Sequence, residues 1–208
     1  MTLAEHWDDR YENNPASKLS WYQERSPEVD FISDNVGKAT PIIDIGGGLS
    51  PFVHELIARE FTDLSVLDIS QFALDEGARN VEGRKVDWIQ ANVTQWTPKR
   101  MYGLWHDRAV FHFLTDEQDQ LNYFSMASDA IVPGGYMILG TFSENGPDTC
   151  SGLPVARHSI ADLTDALGTD FTAIDTQILN HVTPKGAAQE FAWIYAVRIS
   201  CTRKTCEE

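Results

Sequence analysis

Two rhythms of apolar positions alternate along most of this chain. Short apolar or alternating runs at about 40–45, 64–68, 86–90, 103–107 and 136–142 predict strands. Between them, apolar residues at three- and four-residue spacing predict helices at 51–60, at about 70–80 and from Asp116-Glu117 to about 131. Strands separated by helices of that length form a parallel sheet with crossover connections. Ser159-Ile160-Ala161-Asp162 has capping-box chemistry and opens a last helix to about 167. Two final strands, about 171–181 and 189–199, are joined through Pro184-Lys185-Gly186 and pair antiparallel.

Two segments fall outside this alternation. Ahead of the first strand, a helix over 2–14 puts Leu3, His6, Trp7, Arg10 and Tyr11 on one face, and Asn13-Asn14-Pro15 stops it. A second helix runs from Ser26-Pro27-Glu28 to about 37, so residues 1–38 read as a helical lid. Later, Pro133-Gly134-Gly135 reads as a turn, and 143–154 as a long, turn-rich loop placed to close over a substrate.

The stretch from Pro41 to Ile57 organises the rest. A buried run ends at Asp44-Ile45, Gly46-Gly47-Gly48 follow, and Ser50-Pro51 open a helix. Glycine lets backbone turn sharply and lie close to a ligand. The third glycine of a dinucleotide fingerprint is replaced by Pro51, and no Gly-Lys-Ser or Gly-Lys-Thr of a phosphate loop occurs. A second acid, Asp68, ends the next strand and is placed to accept hydrogen bonds from ribose hydroxyls.

With this Asp44-x-Gly46-x-Gly48-x-Ser50 spacing and Asp68, the chain resembles the class I S-adenosylmethionine-dependent methyltransferases. The resemblance implies an α/β, Rossmann-like seven-stranded sheet of order 3-2-1-4-5-7-6, strand 7 antiparallel, with helices on both faces. It makes residues 1–208 one domain: the 1–38 lid, a 39–199 core and a 200–208 polar tail. It also implies S-adenosyl-L-methionine as cofactor, with S-adenosyl-L-homocysteine as product. Asp44 and Gly46, Gly47 and Gly48 would hold the methionine part, and Asp68 with Ile69 the ribose side. Asn92 with Val93 stands where the family has an acid for the adenine amino group. Trp7, Arg10, Tyr11 and Trp21 resemble the N-terminal Trp-x-x-Arg-Trp/Tyr segment of thiopurine S-methyltransferase relatives. Their rings suit a sulfonium cation and Arg10 a carboxylate. His106-Asp107-Arg108 looks like the Asp-Arg segment of the same relatives, so Asp107 and Arg108 join the cofactor contacts.

Chemistry beyond the cofactor is less marked. Asp107 and His112 are the candidate proton acceptors, while His106, alternating with Asp107, faces the packed side of its strand. Tyr22, Cys150 and Arg157 are candidate substrate contacts. Methyl transfer needs mainly alignment of three atoms, so a small-molecule acceptor with sulfur or another soft nucleophile is the reading. A protein lysine methyltransferase, a non-catalytic nucleotide-binding protein and a nicotinamide oxidoreductase are the alternatives, the last opposed by Pro51.

A net charge of −15, from 31 acids against 16 Lys plus Arg, disfavours nucleic acid as a partner. No secretory signal or bilayer-spanning run is read, so the expected location is cytoplasmic, as monomer or homodimer. Cys150, Cys201 and Cys206 are expected as reduced thiols, and no metal site is expected.

Overall fold

The computed structural model describes residues 1–81 and 83–199, so Cys201, Cys206 and the expected polar tail lie outside the described residues. In chain order the elements are α1 (Leu3–Glu12), α2 (Glu28–Asn35), β1 (Ile42–Ile45), α3 (Phe52–Ala58), β2 (Leu64–Asp68), α4 (Gln71–Asn80) and β3 (Val86–Gln90). They continue as β4 (Tyr102–Arg108), α5 (Glu117–Ala130), β5 (Ile131–Phe142), β6 (Thr149–Cys150), β7 (Leu153–Pro154), α6 (Ile160–Ala166), β8 (Phe171–Val182) and β9 (Ala188–Arg198).

Seven strands form one sheet in the order β3-β2-β1-β4-β5-β9-β8. β1 to β5 are parallel, and β9 is antiparallel to both of its neighbours. Successive side chains on a strand point to opposite faces, and the core divides accordingly. Ile43, Ile45, Leu67, Trp105 and Leu139 pack with α5 and α6 through Tyr123, Phe124 and Leu163. Ile42, Val66, Leu104 and Ile138 pack with α2, α3 and α4 through Val29, Ile32, Phe52, Leu56 and Leu74. Helices therefore cover both faces, as the resemblance implied.

The sequence reading and the structure part at three places. Pro133-Gly134-Gly135 is no turn between elements; it is an irregularity inside β5, which starts directly after α5. Gly134 takes φ 80°, and a Cβ on Gly135 would come within 3.0 Å of the Gly103 carbonyl, so two glycines let β5 bulge against β4. The 143–154 loop contains the β6–β7 hairpin, whose two connecting residues Ser151 and Gly152 both have positive φ (55° and 83°). The hairpin's return strand is anchored on the sheet rim: Ala156 N–H donates to the His112 carbonyl (2.7 Å) and His158 N–H to that of Phe142 (3.0 Å). Finally, the 1–38 segment divides. α1 lies over the strand ends, while α2 is built into the core, Val29 and Ile32 being fully buried.

α1 is fixed at both levels. Thr2 and Glu5 form a capping box at its start, and Asp8 accepts hydrogen bonds from the Ser70 hydroxyl (2.6 Å) and the Phe72 N–H (3.2 Å). These bonds tie α1 to the start of α4, directly above the tip of β2.

Candidate functional site

In an open parallel sheet, ligands are held beyond the carboxyl ends of the strands. Here the register places Ile45 beside both Leu67 and Asp107, so the ends of β1, β2 and β4 are level. Beyond them lies a cavity of about 220 Å³ that opens to solvent. Its walls are Ile45 and Gly46 after β1, Leu67, Asp68 and Ile69 after β2, and Ala91 to Thr94 after β3. Arg108, Ala109, Val110, Phe113 and Leu114 close the β4 side, Asp119 contributes from α5, and Cys150 reaches in from the hairpin. Leu3, Trp7 and Tyr11 of α1, one helical turn apart, form the roof with Trp21. Trp7 packs edge-on against Trp21 (5.7 Å) and Phe113 (5.1 Å), and Tyr11 against Trp21 (5.9 Å).

The three glycines are required by the protein itself. A Cβ at Gly46 would lie 2.1 Å from Val110 Cγ2, at Gly47 2.1 Å from Asp44 Oδ2, and at Gly48 2.5 Å from the Ala73 Cβ. Gly46 also has φ 70°, a left-handed conformation. That conformation alone costs a non-glycine residue about 1–2 kcal/mol. Gly46→Ala is therefore expected to lower stability by more than that figure in urea unfolding. Val110→Ala in the same chain should recover the part due to the methyl contact and leave the backbone part.

Asp68 is the acid that faces the cavity from a strand tip. Its Oδ2 accepts from Gly48 N–H (3.1 Å) and its Oδ1 from Ser70 N–H (2.9 Å), so it braces the glycine loop from the side. Burial raises its pKa to about 6, against the pull of those two N–H groups. A carboxylate has about four lone-pair sites, so acceptor capacity remains for a ligand.

Under the loop lies a second charged group. His106, buried on the opposite face of β4 from Asp107, donates Nδ1–H to Asp44 Oδ1 (2.6 Å) and Nε2–H to Glu28 Oε1 of α2 (3.1 Å). Burial favours the neutral ring, but Asp44 and Glu28 together outweigh it and hold the His106 pKa up to about 9. Phe52 stacks on the imidazole at 3.8 Å. Asp44 thus supports the loop from below, and its Oδ2 points at the site a Gly47 side chain would fill.

No protein-family model matches the chain, and neither does any curated protein. Solved structures do. A methyltransferase of Anabaena variabilis described as S-adenosylmethionine-dependent superposes with TM-score 0.72 at 13% identity, covering 95% of this chain and 96% of that one. The 1,6-didemethyltoxoflavin-N1-methyltransferase of Burkholderia thailandensis, with 1,6-didemethyltoxoflavin and S-adenosylhomocysteine bound, gives 0.70 at 14% identity, covering 95% and 84%. The N-methyltransferase NodS of Bradyrhizobium japonicum, in complex with S-adenosylhomocysteine, gives 0.68 at 14% identity, covering 93% and 98%. The fold is that of the class I S-adenosylmethionine-dependent methyltransferases.

Within this methyltransferase fold the expected residues separate into two groups. Trp7, Tyr11, Trp21, Gly46, Asp68, Ile69, Asn92, Val93, Arg108 and Cys150 all line the cavity. Asp44, Gly47 and Gly48 lie behind its wall, and Arg10, Tyr22 and Arg157 are outside the lining. Arg157 instead reaches the Gly146 carbonyl (3.4 Å). Asn92 differs in which end it offers. Its side-chain oxygen accepts from Thr94 N–H (3.1 Å) and the Thr94 hydroxyl (3.0 Å), which leaves its two N–H donors rather than its carbonyl for a ligand.

The two expected proton acceptors are not brought to the cavity. Asp107 is fully buried; Oδ1 accepts from Val110 N–H (2.9 Å) and Phe111 N–H (3.4 Å), and Oδ2 from the Tyr123 hydroxyl (2.6 Å). Tyr123 in turn accepts from Trp105 Nε1–H (2.9 Å). The carboxylate shapes the turn after β4, where Ala109 takes φ 74°. His112 is also fully buried and stacks on Phe142 at 4.2 Å. Burial, helped by the nearby Arg108 and His158, pushes its pKa down to about 3, so it stays neutral. Cys150 meets the cavity, but burial raises its thiol pKa, the opposite of an activated thiolate. Among the described residues no cluster of His, Cys, Asp and Glu has the makings of a metal site, and no helix is long and apolar enough to cross a membrane.

Proposed function

We propose that the protein is an S-adenosylmethionine-dependent methyltransferase acting on a small molecule. The observation that carries this reading is Asp68: an acid at the tip of β2 that braces Gly48 and still faces a cavity roofed by Trp7, Tyr11 and Trp21. The residues present fit the cofactor. The Asp68 carboxylate accepts from a ribose diol, and the apolar side chains of Leu67, Ile69, Ala91 and Val93 bound a slot for a planar base. The rings of Trp7, Tyr11 and Trp21 stabilise a cation where water is excluded. When bound, S-adenosylmethionine supplies a methyl group on a sulfonium, whose sulfur leaves as a neutral thioether.

The chain's own contribution is placement. Asp107 and His112 lie outside the cavity, so the site suits an acceptor atom already nucleophilic near neutral pH, such as a thiol or a nitrogen that is unprotonated there. Small acceptors also fit what the neighbours are described as doing, the Burkholderia thailandensis enzyme acting on a toxoflavin precursor. Calorimetric titration with S-adenosylhomocysteine and, separately, with NADH tests the reading. Binding of the former alone is expected, and binding of NADH alone would remove it. With methyl-labelled cofactor and cell extract, label is expected in the small-molecule fraction; a labelled protein band would point to a protein acceptor instead.

A further inference from the structure

Beside the main cavity a groove opens between residues 23–30 and the ends of β8 and β9. Gln23, Arg108, Asn180 and His181 line it, with Phe191 and Trp193 as an aromatic wall. Topology explains why it adjoins the cavity. β9 is antiparallel to β5 and β8 antiparallel to β9, so β8 runs in the same sense as β4 and β5. Asn180 and His181, at the end of β8, therefore finish on the same rim as Arg108 at the end of β4. Trp21 lines the cavity and Gln23 the groove, so 21–23 is the partition, and Arg108 lines both.

Arg108 is the unusual group. Its Nη1 donates to the Trp21 carbonyl (2.7 Å) and its guanidinium lies 5.3 Å from the Phe191 ring centre. Among the described residues no carboxylate forms an ion pair with it. The acid nearest the groove mouth, Asp30, is taken by Arg25 and by Arg59 (2.7 Å). His181 donates Nε2–H to the Ser20 carbonyl (2.7 Å), and burial lowers its pKa, so it adds no charge and keeps Nδ1 as an acceptor. The buried Glu28 and Asp44 act on Arg108 from a distance but neither touches it, so most of its N–H donors remain for an anion that can. In a chain of net charge −15 this is a local reversal of sign.

We infer that this groove is the acceptor subsite, and that it takes a small organic acid with an apolar body, the acid group paired with Arg108. The inference rests on the methyltransferase reading above. The guanidinium fork matches a carboxylate with two parallel N–H···O bonds, and the apolar lining of Leu179, Val182, Phe191 and Trp193 suits an apolar body. Of the groove's other polar groups, Arg25 and Asp30 pair with each other, which leaves Gln23, Asn180 and His181 to orient substituents.

The test uses the full-length protein saturated with S-adenosylhomocysteine and titrated with 2-naphthoate or its neutral amide, 2-naphthamide. The acid is expected to bind at least tenfold more tightly than the amide. Arg108→Met should abolish that preference. Asn180→Trp, which fills the groove from an exposed strand end outside the lining of the main cavity, should weaken both probes at least tenfold and leave S-adenosylhomocysteine affinity unchanged. Equal affinity for acid and amide, or no binding of either, overturns the inference. So does acid binding that survives Asn180→Trp, or an Arg108→Met variant that loses only S-adenosylhomocysteine, because Arg108 would then serve the cofactor's own carboxylate. Failure of the wild-type protein to bind S-adenosylhomocysteine removes the methyltransferase reading itself, and the subsite with it.

Discussion

His106→Leu is expected to destabilise the protein by about 3–5 kcal/mol, the range for removing one partner of a buried ion network. The imidazolium sits between Asp44 (2.6 Å) and Glu28 (3.1 Å), both buried, and its loss leaves two carboxylates facing each other without a cation. Urea unfolding at pH 7 measures the effect. Adding Glu28→Gln to His106→Leu should recover part of the loss, since one uncompensated charge is then gone. The pH dependence has a defined sign. His106 is held at a raised pKa of about 9, so the stability it lends is complete below its ordinary value near 6.5 and is lost as pH rises through about 9. Wild-type stability should therefore fall between these values, and the fall should be much smaller in His106→Leu. An equal fall in both proteins would place the titrating group elsewhere.

Asp68→Ala is expected to weaken S-adenosylhomocysteine binding about 5- to 150-fold, or about 1–3 kcal/mol, through loss of a charge-assisted acceptor. The substitution also releases Gly48 N–H and Ser70 N–H, so the loop and the ribose contact go together. Because burial raises the Asp68 pKa to about 6, the wild-type protein should lose affinity as pH falls below about 6 and the carboxylate protonates. Asp68→Asn should show weak affinity with little pH dependence over that range. Calorimetry at pH 5.5 and 7.5 reads both effects. Undiminished affinity in Asp68→Ala would mean that the ribose is held by other groups.

The strand positions were legible because each strand core is written in its own apolar residues, and Asp68 because it closes such a run. What sequence could not show is where a polar group at a strand end turns. Asp107 has the position of a site acid, yet Tyr123, two turns into α5, and the N–H groups of Val110 and Phe111 consume both of its oxygens. His112 was expected at the site from its nearness to Asp107, and Phe142, thirty residues on, covers it instead. Asn92 stood at the right place, but the choice of Thr94 as partner for its oxygen decides which end is offered. The groove at Arg108 was invisible for a different reason: it is assembled from residues 23–30, 108, 179–182 and 191–193, which only the reversed last strands bring together. The polar pair Asn180-His181 at the end of an otherwise alternating strand was its one linear trace.

The division of the N-terminal segment has a consequence for how this chain tolerates rearrangement. α2 gives Val29 and Ile32 to the packing under β1 and Glu28 to the charge beneath the glycine loop, and the Ser26 N–H just ahead of it donates to Glu55 of α3 (2.7 Å). A chain trimmed to begin at residue 39 would lack far more than a cover. It would leave His106 with Asp44 alone as its partner and bare a patch of the sheet behind the glycine loop. The natural seam lies after α1, between a roof held by hydrogen bonds to the start of α4 and a helix that belongs to the foundation.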